Sequence, residues 1–228
     1  MRTPIDTVIG RIVDVDEYGV VTIKAKYDDL FTLCKRQYRE VYIQMIDSRP
    51  LSEKQRKSCY ALIKEISEFT GMGLDPTKEY MKIKFLAEDL NETADKIFSL
   101  SNAPMSLVCA FQKFLVRFIL DWDIPCEFPL LNFVDDVGDY VYGCLVNKKC
   151  CVCGVHSDLH HMDAVGMGRD REDIVHEGMR VLPLCRLHHN EVHNMGKQKF
   201  LRQYHLDTDG IVLDKHLCKI YGLKKNAE

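Results

Sequence analysis

Leu182-Pro183-Leu184-Cys185-Arg186-Leu187-His188-His189-Asn190-Glu191-Val192-His193 decides how the last third of this chain folds. Upstream lie Cys150-Cys151-Val152-Cys153-Gly154 and Leu159-His160-His161-Met162. All nine histidines fall between His156 and His216, and seven of them share a stretch of fewer than fifty residues with Cys150, Cys151, Cys153 and Cys185. Imidazole and thiolate together are the ligands of zinc and other borderline metals, so metal chemistry belongs here. The pairs Cys150/Cys153 and Cys185/His188 each leave a two-residue gap. That gap lets two side chains on one tight turn converge on a single ion, as a closed structural zinc site requires. Cys151 is one residue off that register and reads as a packed thiol, with substitution for a ligand as the alternative.

Four of the other histidines, His160, His161, His189 and His193, carry a second message. His189 and His193 are four apart on a helical stretch, so both rings project from one face and can grip one ion. His160 and His161 are adjacent on an expected short strand, where alternation sends the rings to opposite faces. One can ligate metal while the other faces a substrate.

These residues resemble the zinc-knuckle branch of the HNH nuclease family over about residues 149–204. Its finger is two strands and a helix, with a His-His pair, a central loop and a Leu-Cys-x-x-Cys/His-His-x-x-x-His helix. The resemblance implies phosphodiester hydrolysis, with His161 as general base and His160, His189 and His193 as ligands of a catalytic ion. That ion is expected to be Mg²⁺, Mn²⁺ or another divalent cation, beside Zn²⁺ in the knuckle. The family's central residue, usually Asn five positions before the second knuckle Cys, is Arg180 here. Arg180 is read as a phosphate clamp, and His176 as a substitute brace. Arg169 and Arg171, in the glycine-containing loop 166–171, add cations for DNA phosphates. Two plainer alternatives stand beside cleavage: surface histidines gathered by chance, and a finger that grips DNA or protein without cutting.

A length of 228 residues accommodates two modest domains, and the histidine boundary divides them at 1–140 and 141–228. No apolar run has transmembrane length, and the first residues lack the apolar core of a signal peptide. Five of the ten cysteines, Cys34, Cys59, Cys109, Cys126 and Cys218, are scattered among apolar residues like reduced thiols. The expectation is a soluble protein of a reducing cytoplasm, that of a bacterial host cell. Net charge is -3, with 18 cations against 23 acids through residue 145 and 13 against 11 beyond it. DNA contact must therefore rest on local patches.

The fold class expected is α+β: an N-terminal small mixed sheet with amphipathic helices, then a zinc-braced ββα-metal finger. Residues 8–26 alternate around Glu17-Tyr18-Gly19 as a β-hairpin, and residues 40–45 suggest a third strand. Ser52 with Gln55 forms a capping-box pattern opening a helix that Gly71 and Gly73 stop. A second amphipathic segment runs near residues 78–90, and Ile97-Phe98-Ser99-Leu100 looks strand-like. Pro104 opens a helix with the stripe Leu107, Val108, Phe111, Leu115, Phe118, Ile119 and Trp122. A connecting helix precedes the knuckle, and short helices follow at 196–206 and 214–222.

Tyr42-Ile43-Gln44, Arg49-Pro50-Leu51-Ser52, the run from Gln55 to Ile66 and the Ser101-to-Trp122 helix entry resemble the phage lambda Orf (NinB) recombination mediator family over about residues 39–129. That likeness implies a homodimer that binds single-stranded DNA beside host single-strand-binding protein and helps load a recombinase. Between residues 35 and 57, seven cations, Arg49, Lys54, Arg56 and Lys57 among them, interleave with Tyr38 and Tyr42, as suits phosphates and unpaired bases. The function expected is a phage recombination protein carrying an HNH-type DNA endonuclease. The alternative is a non-catalytic mediator or DNA clamp whose finger holds DNA, single-strand-binding protein or a repressor.

Overall fold

The computed structural model describes residues 10–29, 31, 34–35, 52–94, 97–162 and 175–224. Contacts divide the chain into two units, 1–46 and 47–228. In the first unit, β1 (Gly10–Val15) and β2 (Val21–Ala25) pair antiparallel, with a register irregularity between Ile12 and Asp14. Asp16 closes the turn: its carboxylate accepts from the Tyr18 and Val20 N–H groups at 2.9 and 2.8 Å. The third strand expected at 40–45 lies outside the described residues, as do Arg49, Arg169 and Arg171.

The second unit begins with helix α1 (Glu53–Thr70). Ser52 Oγ accepts from the Gln55 N–H at 3.2 Å, and the Gln55 side chain accepts from the Ser52 N–H at 3.4 Å. This capping box satisfies donors that the first turn would otherwise leave unpaired. Gly71, at φ 70°, ends the helix in the left-handed region, its N–H donating to the Ser67 carbonyl at 2.8 Å. Helices α2 (Leu74–Glu88) and α3 (Met105–Asp121) follow. Cys59, Leu62, Ile63 and Ile66 of α1 are buried with Val108, Phe111, Leu115 and Ile119 of α3 in one apolar core. Phe85 of α2 lies between Phe111 and Phe114, at 5.4 and 5.5 Å between ring centroids.

One expectation needs correction. Residues 97–100 form no strand: Phe98 meets Phe85 and Phe111 edge-on, and the Ser99 carbonyl accepts from the N–H groups of Asn102 and Ala103, turning the chain before it can pair. Trp122 is not core. It sits past the end of α3, 60% exposed, stacked on Phe118.

Helix α4 (Val137–Val146) leads into the finger, with the Asp136 side chain accepting from the Asp139 N–H. The boundary expected between 140 and 141 falls inside α4. Tyr140, Val141 and Cys144 are buried in the same core as Leu120 and Ile124 before them and Cys150, Cys151 and Leu184 after them.

The finger's sheet has the order β3-β4-β5, all antiparallel: β3 (Asp158–His161), β4 (Arg180–Leu184) and β5 (Ile211–Val212). Helices α5 (Arg186–Met195), α6 (Lys197–Gln203) and α7 (Lys215–Tyr221) complete it. Pro183 sits in the central strand, which a proline tolerates only where no ladder donor is needed. There β5 has already ended, and the Pro183 carbonyl accepts instead from the Cys151 N–H at 3.0 Å. Gly210, at φ 96°, lies so close to the sheet that a Cβ would stand 2.8 Å from Met162 and 3.1 Å from the Val181 carbonyl. A smaller core of Leu145, Val181, Leu213, Leu217 and Cys218 packs α7 against α4 and β4.

Candidate metal centres

The knuckle is a backbone ribbon before it is a ligand set. Lys149 and His156 bridge antiparallel, the Cys150 N–H donates to the Val155 carbonyl at 2.7 Å, and the Gly154 N–H donates to the Cys150 carbonyl at 2.8 Å. This turn aims Cys150 and Cys153 toward Cys185, the N-cap of α5, and His188 one turn along that helix. Cys153 Sγ lies 3.7 Å from Cys185 Sγ; His188 Nδ1 lies 3.5 Å from Cys150 Sγ and 3.2 Å from Cys185 Sγ. Ordinary zinc bond lengths at tetrahedral angles place sulfurs about 3.8 Å apart and sulfur about 3.6 Å from nitrogen. The four donors lie within 4.8 Å of one another, close enough to hold one metal ion, and zinc suits their chemistry.

Their protonation supports the fit. Burial pushes the Cys150 thiol up, and likewise Cys153 to about 12, so in metal-free protein both carry protons near neutrality. Burial also acts upward on Cys185, but hydrogen bonds from the His188 backbone N–H, from the Cys153 and Cys150 thiols and from the Leu187 N–H outweigh it, and its thiol falls below the ordinary range. A helix N-terminus favours a thiolate in this way. Burial lowers His188, favouring the neutral imidazole that metal binding needs. Cys151 is fully buried beside this set without joining it, and burial drives its thiol far upward.

Strand alternation in β3 separates the two central histidines as expected. The His160 ring faces α5, with centroids 4.8 Å from His189 and 5.0 Å from His193; His189 and His193 are 4.8 Å apart. The three rings thus form a nearly equilateral triangle with mutually steep planes, and their donor nitrogens lie within 4.8 Å of one another. His160 is 3% exposed, and its Nε2 is buried without a hydrogen-bond partner. An orphaned buried nitrogen facing two more imidazoles fits a metal ligand. Burial, then the neighbouring His189 and His193, Lys197 and His161, pull His160 down to about 4; burial and His193 with Arg186 also lower His189. Ligation requires these neutral imidazoles.

His161 points the other way. Its Nε2 lies 3.1 Å from Nδ1 of His176, with ring centroids 5.2 Å apart. Arg180 is exposed at the start of β4, paired across the sheet with Val212, and its carbonyl accepts from the Met162 N–H at 2.8 Å. Its backbone therefore braces the residue after His161. Lys54, Arg56 and Lys57 are exposed on the opening turns of α1, where Lys57 pairs with Glu53 at 2.7 Å.

Sequence reasoning missed the support behind His188. Phe200 and Tyr204 pack edge-on to its ring, at 6.4 and 5.2 Å. Glu191 receives the Tyr204 hydroxyl at 2.7 Å and the Gln203 side-chain amide at 3.0 Å. The aromatic spacing 200/204 beside the knuckle helix was the available signal.

No described helix is long and apolar enough to cross a membrane. No curated protein matches the chain, and neither does any solved structure. The family model described as "Putative HNHc nuclease" matches residues 22–225, nearly the whole chain and both ligand clusters within it, and the chain belongs to that family.

Proposed function

We propose that this protein is a metal-dependent DNA endonuclease whose knuckle, Cys150, Cys153, Cys185 and His188, holds zinc structurally and whose triad, His160, His189 and His193, holds the catalytic ion. The observation that carries this is the buried, partnerless His160 Nε2 facing two more imidazoles, with His161 directed away from them on the same strand. Three imidazoles with no carboxylate in the described cluster favour a transition ion such as zinc or nickel, and manganese, over magnesium. A bound divalent ion supplies positive charge to the phosphate and the departing 3′ oxygen.

His161 takes a proton from water. The water oxygen bonds to phosphorus, the bond from phosphorus to the 3′ oxygen breaks, and that oxygen acquires a proton from solvent. Neutral imidazole is a suitable base near pH 7. Arg180, exposed at the strand start, clamps a phosphate, with Arg169 and Arg171 as further contacts. Lys54, Arg56 and Lys57, with Arg49, form a patch for single-stranded DNA. The likeness to recombination mediators supports a phage recombination protein that acts as a dimer with single-strand-binding protein and recombinase, its DNA-holding part within residues 1–140 and its cutting part within 141–228. One observation favours a second reading, a clamp that holds DNA uncut: Arg180 stands where the family's central Asn is expected.

The test is cleavage of supercoiled plasmid and circular single strands with Mg²⁺, Mn²⁺, Ni²⁺ or Zn²⁺, comparing wild type with His161→Ala at equal zinc content. Cutting by the wild type alone supports the nuclease. Binding of DNA without cutting by either selects the clamp.

A further inference from the structure

The geometry points to His176 as the positioning residue for His161, through the 3.1 Å hydrogen bond between His161 Nε2 and His176 Nδ1; the inference rests on His161 being the group that accepts the proton from water.

His176 hangs from a turn fixed at both ends. Its N–H donates to the Lys224 carbonyl at 3.1 Å, and its carbonyl accepts from the Met179 N–H at 3.1 Å. The Gly178 N–H donates to the Leu213 carbonyl, and the Leu213 N–H returns a bond to the Met179 carbonyl, each at 2.9 Å. Gly178, at φ 89°, allows the turn this shape. The half-buried imidazole is thus held by backbone that is tied to both sides of α7, and it meets the His161 ring at 48°.

An imidazole base has two nitrogens, and only the unprotonated one can take a proton. Committing Nε2 of His161 to His176 assigns proton transfer to Nδ1. In the working arrangement Nε2–H of His161 donates to Nδ1 of His176, whose own proton then lies on Nε2. Once Nδ1 has taken the water proton, His161 is an imidazolium and the bond to His176 becomes charge-assisted. The contact fixes the orientation of the His161 ring, and with the His176 proton on Nε2 it also selects the His161 tautomer, as a carboxylate does for histidine in other sites. The bracing is shared: the Arg180 carbonyl holds the backbone of Met162, and the His176 side chain holds the ring of His161.

The full chain, labelled with ¹⁵N and loaded with zinc, tests this directly. A through-bond ¹⁵N–¹⁵N coupling between His161 Nε2 and His176 Nδ1 is expected in the wild type and not in His176→Ala. In cleavage assays His176→Ala should lower kcat roughly ten- to a hundredfold, with KM for DNA and bound metal unchanged. His176→Asn, which offers an acceptor oxygen near the position of Nδ1, should recover most of that loss. Absence of the coupling in a wild type that cuts normally, or equal kcat in wild type and His176→Ala, overturns the role of His176 alone. A coupling present in a protein that binds DNA and fails to cut it with Mg²⁺, Mn²⁺, Ni²⁺ or Zn²⁺ overturns the nuclease reading and, with it, any catalytic part for His176.

Discussion

Replacing Cys185 with serine should weaken the knuckle's hold on zinc and lower the stability of residues 47–228. Cys185 joins β4 to α5, caps that helix, and lies 3.7 Å from Cys153 Sγ and 3.2 Å from His188 Nδ1. Its thiol is also the one that backbone and side-chain donors draw below the ordinary range, so serine removes the readiest anion of the set. Structural zinc is worth roughly 10–16 kcal/mol in small knuckles. One ligand in four then accounts for about 3–4 kcal/mol, a loss of affinity on the order of a hundred- to a thousandfold. In a domain of this size each kcal/mol shifts Tm by about 2–4 °C, so Tm should fall by about 6–16 °C at fixed free zinc. Calorimetry with and without chelator, alongside zinc quantification, reads both quantities. The reasoning is refuted if Cys185→Ser competes with a chelator for zinc as strongly as the wild type does and melts at the same temperature.

Cys151→Ala is the control: it removes a buried neighbouring thiol outside the four-residue cluster, so zinc content should stay whole while stability falls by about 1–2 kcal/mol. Zinc loading must strip the protons from Cys150 and Cys153, whose thiols burial holds high, so affinity should weaken as pH falls and calorimetry in buffers of different ionisation enthalpy should reveal the released protons. With the knuckle loaded and the triad metal-free, His160 stays neutral to about pH 4 while the unfolded chain binds a proton near 6.5. Stability should be level above pH 6.5 and decline towards pH 4, by at most about 1.4 kcal/mol per unit, and denaturant titrations of His160→Gln should show that slope flattened. Lys54→Ala combined with Arg56→Ala should weaken single-strand binding and reduce the salt slope by about 1.4, at roughly 0.7 per lost phosphate contact; an unchanged slope removes α1 from the interface.

Local signals carried much of the fold. Ser52 with Gln55 and then Gly71 bracket α1 because caps and left-handed glycines act within a few residues. The gaps 150/153 and 185/188 and the pair 189/193 were legible for the same reason, since a turn and a helix face fix which side chains can meet. Tertiary effects were not legible. Phe98 looked like part of a strand because its packing against Phe85 and Phe111 depends on distant helices. The two-residue strand β5 pairs with only two residues of β4, too few to leave a periodic pattern. Sequence reading named His176 as a brace, but its contact with the His161 ring, between residues fifteen apart, is one that no spacing rule reaches.

The central claim is that the triad holds the ion that cuts DNA while the knuckle only holds the fold. Its most direct test is one cleavage titration with divalent ions on supercoiled plasmid, comparing wild type with His189→Ala combined with His193→Ala at equal knuckle zinc. The wild type should nick or cut, and the double variant should bind DNA, melt within a few degrees of wild type and leave the plasmid intact. Equal cutting by both proteins would contradict the assignment of catalysis to this site.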